Sequence, residues 1–165
     1  MRMRKALLWP PTEKLWSFNP WRSMLKPSLD PRQLSVGQAL PERGHTFTEV
    51  DLMAYGAATW DWHRMHFDKD HAKSMQLPGV VIDGQVFGAV FARESMQWAG
   101  PKAFIQSMSL KMKSMAFAGD HLVVKGTIDA IDHLDDVCIF RINQQLWCGD
   151  RLVAQASSNV RINLN

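Results

Sequence analysis

Ten residues, 59–68, with the sequence TWDWHRMHFD, concentrate candidate acid–base chemistry in one short segment. Two carboxylates, Asp61 and Asp68, flank two imidazoles, His63 and His66. A carboxylate and an imidazole that hold one water between them can take a proton from it and return a proton to a substrate. Five positions separate Asp61 from His66, and on a straight helix this spacing would leave them about 140° apart. We therefore predict that the chain turns over 61–66 and that the two side chains converge there.

Two predicted helices flank this turn. Residues 48–58 form the first, because Thr48 is a typical N-cap and Asp51 stands three positions later as its capping-box partner. The second covers 83–100, with Asp83 as its N-cap. Its positions 86–92 are all small or apolar, which predicts burial on nearly all sides over the first two turns. A sheet wrapped around this helix would provide that burial.

The C-terminal half has the pattern of consecutive strands. Residues 108–113 alternate apolar and polar side chains, and strand-like runs follow at 121–131, 137–148 and 151–163. Turn residues at 118–120 and 149–150 separate these runs, so neighbouring strands are expected to be antiparallel. With a short strand near 42–45, the predicted fold class is α+β, a curled antiparallel sheet around one central buried helix.

The pattern Asp-x4-His-x-Asp, followed by Gly84 at the start of the apolar helix, resembles the MaoC-like hydratase/dehydratase family of hotdog-fold proteins. The resemblance spans residues 31–162. In that family the motif Asp-x-Asn-Pro-x-His-x-Asp holds the water that adds across the double bond of a 2-enoyl thioester, and Asp61, His66 and Asp68 match its acidic and histidine positions. The resemblance implies a hotdog fold and a hydro-lyase that acts on an acyl-CoA thioester without a cofactor.

Hydration of such a thioester needs a base, a proton donor and a group that stabilises the enolate-like oxygen. Our hypothesis is that Asp61 is the principal base and that His66 orients the water and shuttles its proton; the reverse assignment stays open. The Gly84 N–H is the candidate donor to the oxygen, because unpaired amides and the positive end of the helix dipole meet at a helix start. Glycine also leaves this amide open to a ligand.

Three further residues are candidate substrate contacts, namely His63, Arg64 and Asp83. The pair His63-Arg64 replaces the family's Asn-Pro and resembles the His-Arg-x-His form of mesaconyl-CoA hydratase-type relatives. Asp83 stands beside Gly84, the one residue that matches the family's His-Gly-Met. His63 either supports Asp61 or stacks between the neighbouring tryptophans. Arg64 either meets a phosphate or carboxylate of the substrate or stays in solvent.

Other chemistries find no suitable spacing in the sequence. The potential metal ligands between residues 61 and 71 lack a standard ligand pattern, so no metal is expected; they are Asp61, His63, His66, Asp68 and His71. Cys138 and Cys148 show no Cys-x-x-Cys spacing, which favours free thiols in a reducing compartment. A Gly-x-Ser-x-Gly nucleophile elbow and a glycine-rich phosphate loop are also missing.

Composition sets the organisation of the chain. The 165 residues, 46% hydrophobic and 21% charged, suit one domain at 34–165. Residues 1–33 hold five of the eight prolines and three tryptophans, which predicts an irregular arm that wraps along a surface or a subunit partner, or a partly ordered tail.

A net charge of +3 does not predict nucleic-acid binding; it suits a coenzyme A ester or an ordinary basic surface. Neither a signal peptide nor a membrane span is indicated, so a soluble, cytoplasmic protein is expected.

The leading functional prediction is a hydro-lyase that reversibly hydrates 2-enoyl thioesters to 3-hydroxyacyl thioesters. Two alternatives remain. The first is an acyl-CoA thioesterase, in which a carboxylate activates water against the carbonyl. The second is a non-catalytic thioester-binding subunit of a heteromeric hydratase. Because a single curled sheet leaves an edge open, we expect a homodimer or a heterodimer with a second hotdog subunit.

Overall fold

Five antiparallel strands organise the computed structural model, which describes residues 29–164. They are β1 (Arg43–Thr46), β2 (Ala103–Met112), β3 (His121–His133), β4 (Val137–Cys148) and β5 (Arg151–Asn163), in the spatial order β1-β3-β4-β5-β2. The predicted antiparallel α+β architecture and the bounds of β4 and β5 are confirmed. The predicted hairpin turn between these two strands contains Gly149, whose φ of 58° is readily adopted by glycine.

Three helices accompany the sheet, α1 (Glu49–Thr59), α2 (Lys69–Ser74) and α3 (Gly84–Ala99). The predicted capping box begins α1: the Asp51 N–H donates to Thr48 Oγ1 at 3.2 Å, and the Thr48 N–H donates to Asp51 Oδ2 at 2.8 Å. The sequence analysis missed α2, since six residues carry no readable apolar period. Its start is fixed by Asp68, which accepts the His71 N–H at 2.9 Å.

Strand β2 begins five residues earlier than predicted, at Ala103 instead of residue 108. The register against β5 shifts between Ile105 and Ser107, so the inward and outward sides exchange there. This bulge breaks the alternation of side chains that would otherwise have revealed the strand. Within the described residues, the second edge of β2 has no partner strand.

Helix α3 packs one face against the sheet, where Val86, Phe87, Val90 and Phe91 are buried. The predicted burial on nearly all sides is wrong, because Ala89 is exposed. The sheet of one chain curls around only part of the helix. Within residues 29–164 no element covers the opposite face at Ala89.

A buried ion cluster joins the second half of α3 to β1. Glu94, only 6% exposed, lies 3.0 Å from Arg43 Nε and 3.2 Å from His45 Nε2. Burial lowers the pKa of His45 below its ordinary value, and this effect outweighs the attraction of the Glu94 carboxylate. Burial in this cluster therefore disfavours the charged form of His45.

The first described residue, Leu29, already contacts the domain, because its N–H donates to the Ala99 carbonyl at 3.2 Å. Pro31, two positions later, is buried. The remainder of the predicted N-terminal arm, residues 1–28, lies outside the described residues. Cys138 and Cys148 are free thiols at the two ends of β4. None of the helices within 29–164 is long and apolar enough to cross a membrane.

Candidate active site

The turn that carries Asp61 is made by the end of α1. Trp60 caps the helix in the left-handed region, with φ 60° and ψ 26°, and its N–H donates to the Gly56 carbonyl. The Asp61 N–H donates to the same carbonyl at 3.0 Å. A Cβ at Gly56 would lie 2.8 Å from the Asp61 carbonyl oxygen, so only glycine permits this approach. Asp61 is thereby folded back against the helix that precedes it.

His66 is held by the opposite side of the loop. It ends a 3-10 turn over Arg64–His66, and its Nδ1 lies 2.8 Å from the Val81 carbonyl oxygen. Because a carbonyl can only accept a hydrogen bond, Nδ1 carries the proton and Nε2 is left for chemistry. The Val81 N–H in turn donates to the Met65 carbonyl at 2.9 Å, which ties the loop to the segment before α3.

Asp83 completes a group of three side chains. One donor atom from each of Asp61, His66 and Asp83 lies within 4.8 Å of the others. Asp83 is the N-cap of α3, where its Oδ1 accepts the Gln85 N–H at 2.9 Å. Its Oδ2 is buried and has no hydrogen-bond partner among the described residues. The predicted convergence of Asp61 and His66 is thus observed, and a second carboxylate joins them.

A small cavity encloses this group beneath α1, with Leu52, Tyr55 and Gly56 as its remaining walls. Burial raises the pKa of Tyr55, and the negative charge of Asp83 adds to the effect. Tyr55 was missed in the sequence analysis. The signal was present, because residues 52, 55 and 56 share one face of the predicted helix at the i, i+3, i+4 spacing.

A larger cleft of about 340 Å³ opens on the other side of His66. Its lining is mainly apolar, including Val81, Ile82, Phe87 and Met115, and Gly84 lies in the same wall as His66. Gly84 is the first residue of α3, so its N–H has no carbonyl partner within the helix. An imidazole and an unpaired amide therefore border one apolar cleft, an arrangement suited to a polarised carbonyl on an apolar chain.

The two other predicted substrate contacts lie elsewhere on the loop. The His63 N–H donates to Asp61 Oδ1 at 3.1 Å, so its backbone supports Asp61, while its ring meets the ring of His66 at 5.9 Å. It does not stack between the tryptophans, because Trp60 and Trp62 contact each other. Arg64 is exposed and pairs with Asp68 at 2.7 Å. Their roles as substrate contacts stay predictions.

Asp68 acts on the loop as a structural anchor. Its hydrogen bonds from the His71 backbone and from Arg64 hold the pKa of this carboxyl below its ordinary value. The pairing with Arg64 fixes the 3-10 turn that presents His66. Asp68 therefore contributes to the geometry of the turn.

The donor set of the small cavity bears on metal binding. One imidazole and two carboxylates, from His66, Asp61 and Asp83, are chemically suitable ligands for a divalent cation. His63 and His71, which were weighed as potential ligands in the sequence, are not part of this group.

The chain is similar to several known proteins. The family described as MaoC like domain matches residues 33–139. A mitochondrial 3-hydroxyacyl-[acyl-carrier-protein] dehydratase of Arabidopsis thaliana is 30% identical over 98 residues, which cover 59% of this chain and 57% of that protein. The 3-oxo-4,17-pregnadiene-20-carboxyl-CoA hydratase beta subunit of Mycobacterium tuberculosis is 24% identical over 126 residues, covering 76% of this chain and 96% of that subunit.

Solved structures show the same fold. The (R)-hydratase of A. caviae involved in PHA biosynthesis superposes with a TM-score of 0.71 at 20% identity, covering 78% of this chain and 97% of that one. A chain of the ChsH1-ChsH2 complex from Mycobacterium tuberculosis superposes with a TM-score of 0.68 at 21% identity, covering 79% of this chain and 99% of that one. The match over residues 33–139 and the hotdog architecture establish that this chain belongs to the MaoC-like dehydratase family.

Proposed function

We propose that this protein is a hydro-lyase that reversibly adds water to the double bond of 2-enoyl-CoA thioesters to form 3-hydroxyacyl-CoA thioesters. The observation that carries the proposal is that His66 lines both compartments. It lines the small cavity together with Asp61 and the apolar cleft together with Gly84. The imidazole can therefore carry a proton between the Asp61 carboxylate and a thioester in the cleft.

The division of labour follows from the two compartments. Asp61 removes a proton from the water that His66 orients through Nε2, and the imidazole shuttles that proton to the α-carbon. The Gly84 N–H donates to the thioester oxygen as negative charge develops on it. The apolar walls of the cleft hold the acyl chain and exclude bulk water.

The test is hydration of trans-2-enoyl-CoAs by the purified protein, followed as loss of the conjugated thioester's ultraviolet absorbance while released thiol is assayed. Asp61→Asn and His66→Ala each should reduce turnover by about 10²–10⁴-fold. Asp30→Asn and His133→Ala are matched controls, because both side chains are exposed and lie outside the two compartments. Full activity in both site variants would refute the proposal, and thiol release without hydration would identify a thioesterase.

A second candidate, a subunit of a heteromeric hydratase, is favoured by the relative named as a beta subunit and by the fold shared with the ChsH1-ChsH2 complex. In the part of the chain that the structure describes, the α3 face around Ala89 is exposed and the outer edge of β2 has no partner strand. We propose a dimer in which a second hotdog subunit, either a second copy or a related chain, covers this face and this edge. Size-exclusion chromatography coupled to light scattering separates the cases: a stable dimer that hydrates enoyl-CoA supports the homodimer, and activity that appears only with a co-encoded hotdog subunit supports the heteromer.

A further inference from the structure

The thioether of Met112 lies against the first residue of α3. Strand β2 passes this helix at two glycines: a Cβ added at Gly88 would lie 3.6 Å from Leu110 Cδ2, and one added at Gly84 would lie 2.3 Å from Met112 Sδ. The first distance is an ordinary contact. The second is possible only because Gly84 has no side chain. The sulfur therefore occupies the side of Gly84 on which any other residue would carry its Cβ.

This position brings the sulfur close to the Gly84 amide. A backbone nitrogen is about 2.5 Å from the Cβ of its own residue, so Met112 Sδ lies within about 4.8 Å of the Gly84 nitrogen. The Cα–Cβ bonds of a helix tilt toward its N-terminus, the direction in which the first N–H groups also point. The thioether thus borders the position that we assign to the thioester oxygen. Because a thioether is a weak acceptor, it is a poor partner for the Gly84 N–H.

Met112 is also accessible to small oxidants. Met108 and Leu110, on the same side of β2, pack against the core, whereas Met112 is 59% exposed because it lines the apolar cleft. The cleft must admit an acyl chain, so a hydroperoxide, which is smaller, also reaches the sulfur. Oxidation of an accessible methionine gives a sulfoxide, a polar group that thiol-dependent reductases return to the thioether.

We propose that Met112 is an oxidation site whose sulfoxide accepts the Gly84 N–H and thereby occupies the carbonyl position of the cleft. This inference rests on the proposed hydratase function. In the oxidation, a lone pair of the sulfur attacks one oxygen of hydrogen peroxide and the O–O bond breaks. The departing hydroxide takes the proton of the transferred oxygen and leaves as water. The sulfur loses two electrons, and the peroxide gains them.

The sulfoxide oxygen can reach the amide. It extends by one bond length from a sulfur that lies within about 4.8 Å of the Gly84 nitrogen, and an ordinary hydrogen bond requires about 3 Å. The three rotatable bonds of the unbranched Met112 side chain allow the final adjustment. The sulfoxide then competes with the thioester carbonyl for one donor. A hydrogen bond of ordinary strength would raise the KM for enoyl-CoA about 3- to 10-fold and leave kcat unchanged at saturation.

Two substitutions test this competition without an oxidant. Met112→Gln places an amide oxygen, a strong acceptor, on an unbranched side chain of similar length. Met112→Leu is the matched apolar variant. We expect the KM for enoyl-CoA to be about 3- to 10-fold higher in Met112→Gln than in Met112→Leu, with kcat values within about twofold of each other. Equal KM values in the two variants would overturn the proposal.

Oxidation of the full chain tests the site itself. After hydrogen peroxide treatment, peptide mass spectrometry should find the sulfoxide at Met112, and the KM should rise as above and return after treatment with methionine sulfoxide reductases A and B. Met112→Leu should lose this response. Met53→Leu should keep it, because Met53 is 52% exposed but lies outside the cleft. Met115→Leu, in the same cleft, should also keep it, because the atoms nearest to a Cβ at Gly84 all belong to Met112.

Three results would contradict this assignment. An undiminished response in Met112→Leu would place the sensitive group elsewhere, and a fall in kcat with unchanged KM would indicate general damage. The third result is independent of activity: on oxidation the Gly84 amide proton resonance should move downfield in the wild type but not in Met112→Leu. An unmoved resonance would overturn the contact. If the wild type hydrates no enoyl-CoA, the proposed function fails, and this resonance still decides whether the sulfoxide binds the amide.

Discussion

The substitution Gly56→Ala tests whether the close contact between α1 and the Asp61 backbone positions the catalytic carboxylate. The added Cβ would lie 2.8 Å from the Asp61 carbonyl oxygen, and ordinary contact begins at 3.4 Å. The loop must therefore retreat by about 0.6 Å, because backbone on both sides prevents a simple side-chain rotation. A shift of about 1 Å at a reacting group can cost about 10²-fold in rate, so we expect kcat to fall at least 10-fold.

Gly88→Ala is the matched control for this prediction. Gly88 is also inside a helix, but its added Cβ would meet only Leu110 Cδ2 at 3.6 Å, an ordinary contact. Both substitutions gain helix propensity of about 1 kcal/mol, so this contribution cancels when the two variants are compared. What remains is the overlap at Gly56, which should make that variant less stable than the control by about 1–3 kcal/mol.

Urea unfolding at one protein concentration measures the stability difference, and enoyl-CoA hydration measures the catalytic one. The expected pattern is a stabilised, active Gly88→Ala protein and a less stable, impaired Gly56→Ala protein. If the two variants are equally stable and equally active, the contact does not hold Asp61 in place, and the account of the turn given above is wrong.

Three further predictions concern the core, the cleft and the cap of α1. Burial lowers the pKa of His45, whereas the unfolded residue titrates near 6.5, so the unfolded chain binds more protons in acid. The free energy of unfolding should therefore fall as the pH drops below about 6.5. His45→Gln should flatten this part of the pH profile measured by urea denaturation. Gly84→Ala places a Cβ against the Met112 thioether, so the KM for enoyl-CoA should rise about 10-fold. Adding Met112→Ala to this variant should restore much of the affinity. An unchanged KM in the Gly84→Ala single variant would count against Gly84 as the carbonyl-binding position. Trp60→Gly relieves a left-handed cap and should raise the free energy of unfolding in urea by about 1 kcal/mol; an equal or lower value would show that the cap conformation is not strained.

Local signals predicted the elements that local chemistry determines. The capping box at Thr48 needs only residues three positions apart, and the turn at Gly149 needs only a left-handed residue between two alternating runs. Where tertiary structure changes the pattern, the sequence was less informative. The bulge in β2 after Ile105 exchanged the faces of the strand, so its first half carried no alternation to read.

The same difference between local and tertiary contacts explains which parts of the site could be predicted from the sequence. Asp61 and His66 lie five residues apart and are joined by one turn, so their convergence was open to prediction from spacing. Asp83 follows His66 by 17 positions. Its place beside the pair depends on two hydrogen bonds of Val81, from its N–H to the Met65 carbonyl and from His66 Nδ1 to its carbonyl, which bring the start of α3 to the loop. The sequence predicted its capping role correctly, because a cap is local.

Asp83 uses one oxygen as the cap of α3 and keeps the other buried without a partner among the described residues. A cap uses one oxygen and is satisfied equally by serine, asparagine or aspartate, so stability alone does not require a carboxylate at this position. A carboxylate adds an unsatisfied buried acceptor, which opposes folding unless a donor arrives. Such a cost is typical of functional sites, where a group is held ready for a ligand and not for the fold. Comparing serine, asparagine and aspartate at residue 83 therefore measures the chemical role separately from the cap.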